Sequence, residues 1–327
     1  MDLINLARKG RKYLLLICTL LITTPMLAQT NRYKKEIFTQ VRTETGITYA
    51  KNTNVYKQLQ DLQADVYYPA NDADTKRPMV ILMHGGGFLH GSRKDDYVVA
   101  VCRQFAQRGY VTASISYRLG VENRYDPISY GEAVYRSVQD AKAAVRYFRA
   151  NAAKYGIDAE KIIIGGGSAG AIAALHAAYW QQNQVPAYLN TKKLGTLKDA
   201  GGNAGISDKV MGVVNCWGAV TDTTYFTKAN VPIVSIHGEN DEVVPYKWIG
   251  LGDFNLYGSY YIHEHAKKNG IKSVLKAFPN TGHGLSRNDT AKWNTTVDTI
   301  GEFLYELVSE KDKNHSPNGN ATTKLLN

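Results

Sequence analysis

Three cysteines in 327 residues are too few for a disulfide framework. Cys18 lies in an N-terminal apolar run, Cys102 in a helical pattern and Cys216 at the end of a strand pattern, so the last two read as small buried apolar residues and not as a bridge. No apolar run reaches the ~20 residues of a membrane span. Lys and Arg outnumber Asp and Glu by 39 to 29, yet the basic residues fall in scattered pairs such as Lys34-Lys35, Arg93-Lys94, Lys192-Lys193 and Lys267-Lys268. Without a continuous basic stripe, a nucleic-acid partner is not expected. Neither an internal repeat nor a Pro/Ser-rich linker divides the middle of the chain, which argues for one domain.

What is present begins with Arg8, Lys9, Arg11 and Lys12, followed by an apolar stretch from Tyr13 to about Ile22 and then Thr23-Thr24-Pro25-Met26-Leu27-Ala28. A basic start, a short apolar run and a small residue form the pattern of a secretory signal over residues 1–28, cut near Ala28 and Gln29. The expected product is secreted or periplasmic, with no stable membrane insertion. Cys18 follows Ile17, where lipid attachment wants a small residue, so no lipid anchor is expected. Loss of four basic residues and Asp2 would lower the formal charge from +10 to +7. Residues 29–310 then form the domain, and residues 311–327, which lack an apolar period, read as a disordered tail.

Within the domain, β-rich apolar runs alternate with helical patterns. Met79 to Met83, Tyr110 to Ser116, Ile162 to Ile164, Val210 to Cys216, Val231 to Ile236 and Ser273 to Phe278 read as strands. Helices are expected from Tyr97 to Arg108, Tyr130 to Tyr155, Ala169 to Trp180, Tyr260 to Asn269 and Trp293 to Val308. Such alternation predicts an α/β fold with a mainly parallel sheet covered by helices on both faces. Val41 to Tyr49 and Leu59 to Tyr68 read as an N-terminal antiparallel hairpin. A site in such a sheet belongs at the carboxyl ends of the strands.

Ser168 stands in Gly166-Gly167-Ser168-Ala169-Gly170, directly after an apolar strand and before a helix of small residues. That context is the strand-turn-helix elbow of the α/β-hydrolase fold, which lifts a serine hydroxyl above the sheet as a nucleophile. A serine needs a base, and the base needs a partner that holds its tautomer. His283, in Gly282-His283-Gly284 between the last strand and the last helix, has the right place in the chain order for the base. Asp241, just past the strand ending at Ile236, is the expected acid, with Glu239 and Glu242 as rivals. His84-Gly85-Gly86-Gly87-Phe88 follows another strand and offers amides for a developing oxyanion, with Ala169 as a further donor. No Lys-Ser/Thr follows the glycines, so a phosphate cradle is not expected.

These blocks, with Tyr117-Arg118-Leu119, Asp140 to Tyr147 and the His237-Gly to Pro245 segment, resemble the α/β-hydrolase carboxylesterases related to hormone-sensitive lipase. The secreted bacterial acetyl xylan and feruloyl esterases of that group are the most similar in pattern. The resemblance covers about Leu59 to Glu310 and implies a triad of Ser168, Asp241 and His283, oxyanion amides at Gly86, Gly87 and Ala169, and no metal or organic cofactor. It implies a small-molecule or polysaccharide-linked ester as substrate. Phe88, Trp217 just beyond its strand and the aromatic segment from Tyr246 to Tyr257 are candidate contacts that would stack on a sugar or aryl group, with plain packing as the alternative reading. Leu119-Gly120-Val121-Glu122 departs from the Ala-Pro-Glu usual in the lipase-like branch, and the short hairpin start leaves little room for a cap. Two alternatives stay open: a serine peptidase on the same fold, and a catalytically silent binding module.

Overall fold

The computed structural model describes residues 32–227, 230–251, 254–285 and 288–315. The expected signal segment and residues 316–327 of the expected tail lie outside the described residues. The strands are β1 (Val41–Thr53), β2 (Leu59–Pro69), β3 (Arg77–Met83), β4 (Val111–Ile115), β5 (Ile157–Gly167), β6 (Gly212–Cys216), β7 (Ala219–Val220), β8 (Ile233–Gly238), β9 (Trp248–Leu251), β10 (Phe254–Gly258) and β11 (Ser273–Phe278). The longer helices are α1 (Asp96–Gln107), α2 (Pro127–Ala150), α3 (Ala169–Tyr179), α4 (Ser259–Lys268) and α5 (Thr290–His315).

Eight strands form one sheet in the order β1-β2-β4-β3-β5-β6-β8-β11. From β4 to β11 neighbouring strands are parallel, and β2 is antiparallel to both β1 and β4. This is the α/β-hydrolase architecture, with the N-terminal hairpin at one edge.

Every residue of β3 is buried, as a strand covered on both faces requires. Its side chains alternate between two cores: Met79, Ile81 and Met83 pack with residues of α2, α3 and α4, whereas Val80 and Leu82 pack with residues of α1 and α5. Helix α2 starts before the expected Tyr130 because the Asp126 carboxylate accepts the amides of Ile128 and Ser129, with Pro127 as the first helical residue. Helix α3 is buried along nearly its whole length, and its alanines and glycine let it lie close to the sheet.

Three features differ from expectation. A second small sheet, β7-β10-β9, joins the segments that follow β6 and β8. Residues 181–209, read as no element, run along the flank of α2: Gly195 O accepts from Tyr135, and the carbonyls of Lys198 and Ala200 accept from the buried Arg146. Helix α5 continues to His315 and so takes in the start of the segment expected to be disordered. Cys102 and Cys216 are both free and buried, and burial pushes each thiol up to about 12. Among the described residues, no helix is long and apolar enough to cross a membrane.

Candidate active site

The carboxyl ends of β3, β5, β8 and β11 carry the four groups singled out in the sequence. Ser168 immediately follows β5 and has φ 54° and ψ −122°, a strained conformation for a residue with a side chain. Its amide donates to Cys216 O at 2.9 Å, tying the turn to β6. The flanking glycines are required by space: a Cβ on Gly166 would lie 2.5 Å from Met83 O, and one on Gly170 would lie 2.3 Å from the same oxygen. The elbow is therefore pressed against the end of β3.

Asp241 lies in the loop after β8 and His283 in the loop after β11. The two loops are bound together, because Glu239 N donates to Phe278 O and Asn240 N to Thr281 O, each at 3.0 Å. Gly238 permits this crossing, since a Cβ there would meet Thr281 O at 2.3 Å. His283 Nε2 is 2.9 Å from Ser168 Oγ, and His283 Nδ1 is 2.7 Å from Asp241 Oδ2. Nδ1 faces a carboxylate and so carries the hydrogen, which leaves Nε2 free to accept the serine proton. The rivals Glu239 and Glu242 are exposed. Burial alone would raise the Asp241 carboxyl, but hydrogen bonds from His237, His283 and the amides of Val244 and Val243 outweigh it and hold the group well below the usual carboxylate range.

The glycine loop after β3 lies beside the serine: a Cβ on Gly85 would sit 3.4 Å from Ser168 Cβ. Gly86 has φ 102° and Gly87 φ 60°, and any side chain on Gly86 would collide with His90 O. The amides of Gly86 and Gly87 find no acceptor among the described residues, and Ala169 is the first residue of α3, where the amide has no partner within the helix. The loop is braced from behind. Tyr117 donates its hydroxyl to His84 O at 2.9 Å and stacks on the His84 ring at 4.4 Å. Burial lowers the His84 pKa, so this imidazole is neutral and structural. Next to Tyr117, Arg118 forms a buried ion pair with Asp140 of α2, at 2.8 Å.

Phe88 and Trp217 are only 4% and 6% exposed. Phe88 packs edge-on to Tyr117, and Trp217 packs at a tilt on Tyr97, so little of either side chain is accessible. In the aromatic segment, Trp248 is 52% exposed, with its indole N–H on Asn255 Oδ1, while Tyr246 packs on both His237 and Tyr260. Asp253 of that segment lies outside the described residues. His237, Ser259 and Asn215, which were not among the expected site residues, form a buried hydrogen-bonded chain behind Asp241. The only sequence signal for it was the His237-Gly pair at the end of β8.

Residues 64–218 match the BD-FAE family, a stretch just under half of the chain that includes Ser168 and ends before Asp241 and His283. Esterase LipC of Mycobacterium tuberculosis is 36% identical over 100 residues, 30% of this chain and 22% of that protein. The non-reducing polyketide synthase ausA of Aspergillus calidoustus is 34% identical over 134 residues, 40% of this chain and 5% of that protein. The chain thus spans less than a quarter of the length of either curated relative. Among solved structures, esterase 2 of Thermogutta terrifontis phosphorylated by paraoxon is similar at 25% identity with a TM-score of 0.61, covering 81% of this chain and 94% of that one.

Proposed function

We propose that this α/β-hydrolase, a relative of the carboxylesterases of the hormone-sensitive lipase-like group, hydrolyses carboxylic esters with Ser168 as nucleophile, His283 as base and Asp241 as its orienting acid. The observation that carries the reading is the relay itself, 2.9 Å from serine to imidazole and 2.7 Å from imidazole to carboxylate, at the mouth of the elbow. His283 Nε2 takes the Ser168 proton as Oγ attacks the ester carbonyl. The oxyanion of the tetrahedral intermediate faces the amides of Gly86, Gly87 and Ala169. Collapse expels the alcohol, protonated by His283, and leaves an acyl-serine. His283 then deprotonates a water that attacks the acyl group, and the carboxylic acid departs.

The substrates we propose are short-chain acyl, aryl or carbohydrate-linked esters, and the site of action is outside the cytoplasm after cleavage between Ala28 and Gln29. Mass spectrometry after treatment with an organophosphate such as paraoxon tests the nucleophile: the adduct is expected on Ser168, and a folded protein without one would favour a silent binding module. A panel of aryl acetates, acetylated xylan, methyl ferulate and aminoacyl amides tests the reaction, and amide turnover above ester turnover would favour a peptidase. N-terminal sequencing of exported protein should begin at Gln29, whereas an intact Met1 would overturn the signal reading.

A further inference from the structure

His237 is fully buried at the end of β8, four residues before Asp241. Its Nε2 is aimed at Val244 O at 3.1 Å, with Asp241 Oδ2 a second, less well aligned acceptor at 3.2 Å. An atom facing a carbonyl and a carboxylate must carry the hydrogen. Its Nδ1 meets Ser259 Oγ, at the start of α4, at 2.7 Å. The direction of this last bond follows from Asn215 in β6. Asn215 Oδ1 accepts the Gly218 amide at 3.0 Å, so its Nδ2 is turned toward Ser259 Oγ and Ser235 Oγ, at 3.0 Å each. Ser259 Oγ accepts from Asn215 and spends its own hydrogen on His237 Nδ1. The chain thus runs one way, Asn215 to Ser259 to His237 to Asp241, with each buried group satisfied.

On the other carboxylate oxygen, Asp241 Oδ1 accepts the amides of Val243 and Val244, both at 2.9 Å. Oδ2 therefore faces two imidazole N–H groups: it accepts a full hydrogen bond from His283 and the weaker branch of the His237 N–H, whose better aligned acceptor is Val244 O. Of the donors other than His283, two come from the turn that follows Asp241 and the third, His237, is held in β8 by its partners in β6 and α4, so the carboxylate is restrained on the side away from His283 and Oδ2 is left aimed at that imidazole. We infer that His237 is a positioning residue of the hydrolytic site: a second imidazole N–H on Asp241, set in its tautomer by Ser259 and Asn215, that fixes the carboxylate and through it His283. The inference rests on the reading of Ser168, His283 and Asp241 proposed above.

The test compares His237→Leu, His237→Gln and Ser259→Ala with the parent on an aryl acetate, together with the low-field proton resonance of His283 Nδ1–H and the melting temperature. A misplaced base costs turnover more than binding, so His237→Leu should lower kcat roughly 10- to 100-fold while KM stays within about twofold. His237→Gln, which keeps an N–H near Asp241, should recover most of the loss, and the low-field resonance should shift or broaden in the Leu variant and return in the Gln variant. Should His237→Leu fail to fold, Ser259→Ala decides: a several-fold loss of kcat with the resonance displaced supports the role. Parent-like kcat and an unmoved resonance in any folded variant that lacks the donor or its Ser259 partner overturns it, even where the melting temperature falls. Ser168→Ala, run in parallel, separates the two readings. Retained turnover there would mean that the site assignment itself had failed, whereas an inactive Ser168→Ala beside a parent-like His237→Leu removes the inference about His237 alone.

Discussion

Asp241 shows how a loop carboxylate becomes part of a site. Buried beneath His283 and given donors from both the backbone and side chains, its carboxyl is held below the usual carboxylate range, and in the proposed mechanism it would oppose the positive charge that forms on the imidazole. Replacing it with Asn puts an N–H where an acceptor is needed and drives His283 toward the wrong tautomer. Asp241→Asn should therefore keep the fold and lower kcat by ~10⁴. A near-parent kcat on an aryl acetate would mean that another group orients His283. Ser168, Asp241 and His283 were legible in the sequence because each follows a strand and because their order along the chain is fixed by the topology. His237 was not. Its contact with Asp241 depends on how the chain turns back beyond β8, and four residues across a strand end have no characteristic spacing. The expected role of Trp217 came from its place just beyond a strand, while the burial of Phe88 and Trp217 depends on Tyr117 and Tyr97 arriving from other parts of the chain.

The ties between elements explain motifs that carry no chemistry of their own. Arg118 Nε bonds Asp140 of α2 at 2.9 Å, its Nη1 donates to Thr53 O of β1, and its backbone amide also reaches Asp140. Asp140→Ala would leave a buried guanidinium without its counter-charge, so it should cost about 3–5 kcal/mol. Urea unfolding would measure the loss, and a change under 1 kcal/mol would show that water replaces the carboxylate. A second tie joins Arg32, ahead of β1, to Asp72 at 2.6 Å and to Arg77 of β3 through the same carboxylate, at 2.7 Å. Burial alone would raise the Asp72 pKa, but Arg32 and Arg77 outweigh it, and the folded value is depressed below the ordinary 3.8. The stabilisation is thus fully present above pH 3.8 and is lost as pH falls from there through the depressed folded value. Asp72→Asn should be less stable at neutral pH and should lose less on acidification, and parallel acid-unfolding curves for the two proteins would contradict this. The parallel strands and their helices were legible from apolar runs and 3.6-residue periods. The small sheet was not, because β7 has two residues and pairs with β10 more than thirty residues later. The path of residues 181–209 was hidden for a related reason: it is set by carbonyls accepting from Tyr135 and Arg146 of α2, and backbone acceptors leave no mark on composition.

The sheet belongs to both cores at once. Along β3, β5 and β8 consecutive residues point into opposite faces, so neither layer of helices can separate without exposing residues that fix the other. Cys102 of α1 and Cys216 of β6 lie in the core formed with α5, whereas Ala173 of α3 lies in the opposite core. Burial that pushes both native thiols up to about 12 also keeps them from a thiol reagent at neutral pH. In the folded protein neither Cys102 nor Cys216 should be labelled, and added reductant should leave the melting temperature unchanged. With Ala173→Cys as a reporter on the other face, the reporter, Cys102 and Cys216 should become reactive at one urea midpoint, the one at which helical circular dichroism is lost. A reporter that reacts well before Cys102 and Cys216 would show that α2 and α3 detach while α1 and α5 hold, and the interleaved sheet would then not be the unit of cooperativity.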